Sequence, residues 1–192
     1  MFIVVEGIDG NGKSTLAKSI AEKIPNSVIM KEDIRWLKAM EIIPEMAYDL
    51  FENFCKDRVE YSKLVEKYIK KGYVVISDRY YPSNVCYQLE NCEKLQCKKL
   101  VKIYNKYSPK WLKPDLILIP NTPFVKCLKR IKARGEEVDA KFLRRVKKCY
   151  NLFYKIDDAV VYVKNKEEAL RVVKERLLEK ARSMFSRAEC RS

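Results

Sequence analysis

Two stretches of this chain have residue types and spacing that could do chemistry. The first, Gly7-Ile8-Asp9-Gly10-Asn11-Gly12-Lys13-Ser14, fits G-x-x-x-x-G-K-[ST] in full. It follows an apolar run and opens an amphipathic one, the context such a loop needs. Glycines let the backbone turn tightly and aim its N–H groups at an anion, and the helix N-terminus adds partial positive charge. Gly7, Gly10, Asn11, Gly12 and Thr15 would surround a nucleoside triphosphate. Lys13 would reach its β- and γ-phosphates, and the Ser14 hydroxyl would ligate Mg²⁺. Asp9 places a carboxylate inside this loop, where it repels phosphate unless it turns to metal, to a second substrate or to solvent. Glu6, at the end of the preceding strand, reads equally well as structural or functional.

The second stretch is "VVISDRYYPSNVCYQ", residues 74–88. An apolar strand ends in Ser77-Asp78-Arg79, and an Asp at the carboxyl end of a parallel strand lies on the ligand side of an open α/β sheet. In P-loop proteins that position often orients Mg²⁺; the alternative is a helix cap. Arg79 beside it calls for an anion. The chain contains no His, which removes the usual general base and any Cys/His zinc site. Catalysis must then rest on carboxylates, backbone amides, Lys, Arg and metal. The seven cysteines are odd in number and lack C-x-x-C spacing, which favours free thiols packed as small hydrophobes over disulfides.

These residues need a scaffold, and the pattern supplies one. Nearly continuous apolar runs at 2–6, 27–30, 73–77, 115–119 and 159–163 read as strands buried on both faces of a parallel sheet. Helical spacing predicts helices over 13–23, 45–71, 93–107, 123–133, 140–156 and 166–183, with Gly72 ending the second. Alternation of this kind predicts a three-layer α/β/α fold with a five-stranded parallel sheet. The 192 residues suit one domain, 1–192. No apolar run approaches the roughly 20 residues of a membrane span, and no basic leader precedes "FIVVEG". The expectation is a cytoplasmic protein with no membrane partner. The net charge of +14 is uneven: residues 94–150 hold 17 Lys and Arg against 4 Asp and Glu. That region implies an anionic partner, whether nucleotide, nucleic acid or membrane surface.

Over nearly its whole length the chain resembles the thymidylate kinases, a branch of the P-loop nucleoside monophosphate kinases. "EGIDGNGKST" is similar to E-G-x-D-G-x-G-K-[ST]-T, and "LFENFCKDR" to L-F-x-x-x-R. "DRYYPSNVCYQ" looks like D-R-Y-x-x-S-x-x-A-Y-Q, with Cys86 in place of Ala. "KPDLILI" matches the K-P-D-L strand, and "RIKARG" with "FLRRVKKCY" resembles the lid and the helix after it. Two departures stand out. "VIMKEDIR" offers Lys31, Glu32 and Asp33 where R-E-P-G-like residues are common, and "PNTP" replaces a usual acidic residue after "DLILI".

The resemblance implies a P-loop kinase fold, ATP as phosphoryl donor with Mg²⁺, dTMP as acceptor, and a homodimer. It implies that Phe54 stacks on thymine, that Arg58 and Arg79 clamp the acceptor phosphate, and that Asn84, with Gln88, reads the base edge. Tyr87 would stand against the sugar, Asp9 near the 3′-hydroxyl and metal, and Asp78 with Ser14 at the Mg²⁺. For Phe54 the alternative is simple core packing; for Arg58 it is a surface ion pair. The basic stretch over residues 130–146 would be a lid. Because the loop itself has no Arg, the lid must supply the cation at the transferred phosphoryl group, with Lys132 and Arg134 as candidates and Arg130 next. Two other readings fit parts of the chain. One is a kinase for a different monophosphate or a nucleoside; the other is a P-loop protein binding nucleic acid through its basic half.

Overall fold

The computed structural model describes residues 1–31, 47–91 and 94–189. Glu32, Asp33, Cys92 and the expected helix starts at 45 and 93 lie outside them. Five strands, β1 (Phe2–Val5), β2 (Ser27–Lys31), β3 (Val74–Asp78), β4 (Leu116–Pro120) and β5 (Val160–Val163), form one sheet in the order β2-β3-β1-β4-β5. Every pairing is parallel, and Val5 sits opposite both Asp78 and Leu118. Central β1 and β3 are buried at every position and edge strand β2 at none.

The helices are α1 (Lys13–Ala21), α2 (Ala47–Lys70), α3 (Tyr81–Asn91), α4 (Lys94–Tyr107), α5 (Phe124–Lys132), α6 (Ala140–Ile156) and α7 (Lys166–Glu189). Because successive strand side chains point to opposite faces, β1 feeds two cores. Phe2 and Val4 pack with Val65 of α2, Cys86 of α3, Ile131 of α5 and Leu143, Val146 and Tyr150 of α6. Ile3 and Val5 pack with Leu16, Ala17 and Ile20 of α1 and Ala169 and Val173 of α7. The expected three layers follow. A satellite cluster of Leu50, Phe51, Cys55, Leu100, Tyr107 and Trp111 joins α2 to α4.

Gly72 terminates α2 with φ 87 while the Tyr73 N–H donates back to the Tyr68 carbonyl at 3.1 Å, a left-handed cap that glycine adopts without penalty. Asp139 caps α6 by accepting from the N–H groups of Lys141 and Phe142 at 2.7 and 3.2 Å. Helix α3 was not among the expected elements, and α7 runs six residues past its expected end at 183. The described Cys55, Cys86, Cys127 and Cys149 are buried. Among the described residues no helix is long and apolar enough to cross a membrane.

Candidate active site

The ends of β1, β3 and β4 open onto one cleft of about 1520 Å³, on the carboxyl side of the sheet where ligands of open α/β folds bind. The glycine loop forms its floor. Gly10 has φ 75, and a Cβ there would come within 2.4 Å of the Cys127 carbonyl oxygen, so the close approach of α5 requires glycine. Asn11 braces the turn: its Nδ2 donates to the Glu6 carbonyl at 3.3 Å and its Oδ1 accepts from the Lys13 N–H at 3.2 Å. Thr122, after β4, donates to the Asn11 carbonyl at 2.8 Å. Thus the "PNTP" stretch supports the loop instead of supplying a carboxylate.

Lys13 is buried, and its Nζ donates to the Ile8 carbonyl at 2.8 Å, 3.7 Å from Asp9. Burial first, then the neighbouring Arg79, pulls its ammonium down to about 8 against the attraction of Asp9, Glu6 and Asp78. The Ser14 hydroxyl donates to Asp78 Oδ2 at 2.5 Å. Ser14 and Thr15 are exposed to the cleft.

Asp9 is 43% exposed at its side chain, yet it is tied to the protein. It pairs with the Arg79 guanidinium, and its Oδ2 accepts the Tyr87 hydroxyl at 3.1 Å. Burial raises its carboxyl, but Arg79, Lys13 and the Tyr87 bond outweigh that and hold it below the ordinary carboxylate value. Burial would lower Arg79, yet Asp9, Tyr87, Tyr150 and Glu6 raise it above its usual range. Arg79 has φ 80, a left-handed conformation costing a non-glycine residue roughly 1–2 kcal/mol. Three bonds hold it there. Its N–H donates to the Val5 carbonyl at 3.1 Å, its carbonyl accepts from Ser77 Oγ at 2.6 Å, and Nη1 donates to Ser83 Oγ at 3.0 Å. Burial, ahead of all other causes, pushes the Tyr87 phenol well up, so it stays a neutral donor to Asp9.

Behind the cleft wall the polar residues are closed in. Arg58 of α2 is 2% exposed, with its guanidinium 4.6 Å over the Phe54 ring, 4.7 Å over Tyr80 and 5.6 Å over Tyr61. Burial lowers it to about 10, partly offset by Tyr80, Tyr61 and Glu6. Phe54 is itself buried. The Asn84 amide on α3 is 1% exposed, and neither Nδ2 nor Oδ1 has a hydrogen-bond partner among the described residues. Gln88, one turn on, is buried and borders the cleft. The structure therefore gathers Asp9, Lys13, Ser14, Asp78, Arg79, Tyr87 and Gln88 around one space, while Phe54, Arg58 and Asn84 lie behind it.

On the opposite wall, Arg130 Nη1 donates to the Gly10 carbonyl at 3.0 Å. Arg134 borders the cleft and pairs with Glu136 at 3.0 Å. Lys132 is exposed in the last turn of α5 and does not line the cleft. Arg145 and Lys31 do line it; Arg145 was not singled out in the sequence because it falls in the general basic run of α6. Sequence reasoning also missed Ser83, Tyr80, Tyr61 and Tyr150, whose partners are far away in the chain.

The metal question turns on donor chemistry. No group of three or more His, Cys, Asp or Glu able to hold an ion occurs among the described residues, so a caged metal does not fit. Ser14 Oγ and the Asp78 carboxylate are a hard oxygen pair beside the loop, and Mg²⁺ is commonly held by one or two such groups plus substrate phosphates. These residues fit it.

The chain is similar to known proteins. The family model described as thymidylate kinase matches residues 5–177. A probable thymidylate kinase of Pyrobaculum calidifontis is 34% identical over 161 residues, covering 78% of this chain and 80% of the relative. One from Methanocaldococcus jannaschii is 32% identical over 159 residues, covering 78% and 79%. Among solved structures, a thymidylate kinase from Candida albicans superposes with a TM-score of 0.65 at 24% identity, covering 94% of this chain and 92% of that one. A deoxyadenosine kinase from M. mycoides reaches 0.70 at 20% identity, covering 92% and 99%. At such identities the two structures speak to the fold. The family match and the curated relatives decide the rest: this chain belongs to the thymidylate kinase family.

Proposed function

We propose, from that membership, that the protein transfers the γ-phosphoryl group of ATP to dTMP, giving dTDP and ADP. The observation that carries the choice of acceptor is the Asn84 amide, enclosed with neither its donor nor its acceptor used among the described residues. A buried polar group without a partner costs about 1–3 kcal/mol, which a thymine edge, with a carbonyl beside an N–H, would relieve. The guanidinium groups of Arg58 and Arg79 then take the acceptor phosphate, Arg being suited to bidentate contact. Phe54 offers its ring to the base, with Gln88 at the same edge. Tyr87, tied to Asp9, stands against the sugar, where a 2′-hydroxyl would crowd it.

The donor's phosphates lie on the N–H groups of Gly7–Thr15, with Lys13 on the β- and γ-phosphates and Arg130 alongside. Ser14 and Asp78 would hold Mg²⁺, which when bound neutralises phosphate charge. A phosphate oxygen of dTMP attacks the γ-phosphorus in line, the bond to the β,γ-bridging oxygen breaks, and ADP leaves. Such transfer asks for positioning and charge neutralisation more than for acid–base work, which suits a chain without His. Asp9 orients Arg79. Arg134, released from Glu136, meets the transferring group, with Lys132 the second candidate; closure of residues 130–146 excludes water. We read residues 1–192 as one kinase domain, cytoplasmic and homodimeric, with small-molecule partners and no nucleic acid or membrane.

A coupled ADP-release assay with ATP, Mg²⁺ and dTMP, dUMP, UMP or dGMP tests the acceptor. The highest kcat/KM is expected for dTMP. Equal rates on all four would remove the base-reading role of Asn84.

A further inference from the structure

Glu6 is fully buried and gathers segments far apart in sequence. Oε1 accepts the Tyr80 and Ser83 N–H groups at 2.6 and 3.3 Å. Oε2 accepts the Ser83 hydroxyl at 2.6 Å and the Tyr150 hydroxyl at 2.9 Å. Backbone N–H groups only donate, so this carboxyl serves as acceptor. Each hydroxyl has a single hydrogen, and both are drawn to Glu6. That leaves the Ser83 lone pairs to face Arg79 Nη1, 3.0 Å away. The bonds therefore run in one direction, from Arg79 to Ser83 to Glu6, and the Tyr150 hydroxyl, also 2.9 Å from Ser83 Oγ, ends on the same Oε2. Glu6 also anchors the N–H groups of Tyr80 and Ser83, one and four residues after Arg79's left-handed turn. Tyr150, 1% exposed, lies on α6 one turn beyond the proposed lid.

We propose that Glu6, Ser83 and Tyr150 are positioning residues: they fix the Arg79 guanidinium for the acceptor phosphate and tie that orientation to α6, the helix that begins within the lid. The inference rests on the reading of Arg79 as an acceptor-phosphate contact. Without Ser83 Oγ the guanidinium keeps Asp9 and the Tyr87 side chain, whose ring lies 5.6 Å away, but loses the partner that links it to Glu6. With Glu6→Gln an amide N–H₂ can occupy the Oε2 position and turn the hydroxyls around, so that the Ser83 hydrogen opposes Arg79. With Tyr150→Phe helix α6 loses its bond to Glu6 while the ring's packing remains.

The test compares steady-state kinetics of wild type, Ser83→Ala, Tyr150→Phe, Glu6→Gln and Arg79→Ala with dTMP and ATP, each variant checked by thermal melting. Ser83→Ala and Glu6→Gln are expected to raise KM for dTMP about 10-fold, and Tyr150→Phe about 3-fold, with KM for ATP within about twofold of wild type. A purely structural role would lower Tm and shift both substrates together, and that result would overturn the proposal. So would unchanged dTMP kinetics in Ser83→Ala and Tyr150→Phe while Arg79→Ala is impaired, leaving the acceptor reading intact. Unchanged dTMP kinetics in Arg79→Ala would overturn the acceptor reading, and the positioning role with it. If Glu6→Gln does not fold, Ser83→Ala and Tyr150→Phe decide the matter.

Discussion

The glycine loop and the buried side chains behind it treat polar groups in opposite ways. On the loop, Ser14 and Thr15 face the open cleft, and the groups proposed to hold phosphate are mostly backbone N–H within a few consecutive residues. Behind the wall, Arg58 and Asn84 are 2% and 1% exposed, contributed by α2 and α3, and the Arg58 guanidinium lies among aromatic rings. An open loop of amides can accept any triphosphate tail, since it reads charge and little else. Enclosed side chains such as the Asn84 amide and the Arg58 guanidinium would discriminate in the proposed acceptor role, because each wrong group leaves a buried polar atom without a partner. On the proposed roles, donor binding and acceptor choice are separable, and variants can pull them apart.

The largest separation is expected at the boundary between the two regions. Arg134→Ala should lower kcat by about 10³–10⁵-fold, the range for a cation placed on a transferring phosphoryl group, with little change in ATP affinity. Equal losses in kcat and in nucleotide binding, measured by single turnover and titration, would assign Arg134 to binding alone. Next, Asn84→Ala should cost about 10–100-fold in kcat/KM for dTMP, the equivalent of about 1–3 kcal/mol for one buried polar contact, and leave KM for ATP unchanged. If dTMP and dUMP kinetics both stay at wild-type values, the amide does not touch the base.

The smallest effect belongs to the loop. Lys13 is drawn down to about 8 by burial and Arg79, and bound phosphates would raise it again. ATP binding must then take up a proton above about pH 8. The sign follows: affinity falls as pH rises through this range, by at most about tenfold per unit. Calorimetry in buffers of different ionisation enthalpy would detect the uptake at pH 9 and none at pH 6.5. A pH-independent affinity would mean that Lys13 does not change charge on binding.

The same contrast governs what was legible in the sequence. The loop could be read because its function needs glycines, Lys and Ser at fixed local spacing. The sheet could be read because strands covered on both faces appear as unbroken apolar runs. Helix α3 escaped: Tyr81-Pro82-Ser83-Asn84 looks like a turn, yet Pro is tolerated in a first helical turn, where no N–H partner is needed. Asn84 and Arg58 were reachable only through family resemblance, since one Asn or Arg on a helix carries no local signature. Glu6 was equivocal for a similar reason. Its partners Tyr80, Ser83 and Tyr150 lie 74, 77 and 144 residues away, a closeness produced by the parallel register of β1 and β3 and by the packing of α6. Tyr150 reads as ordinary core on an amphipathic helix, and only its hydroxyl gives it away.

The most direct test of the account compares dTMP with thymidine as acceptors under identical ATP and Mg²⁺. If Arg58 and Arg79 bind a phosphate already present on the acceptor, kcat/KM for thymidine should fall at least about 10³-fold below that for dTMP, in line with the loss of two charge-assisted contacts. Comparable values for the two acceptors would contradict the account and make the enzyme a nucleoside kinase.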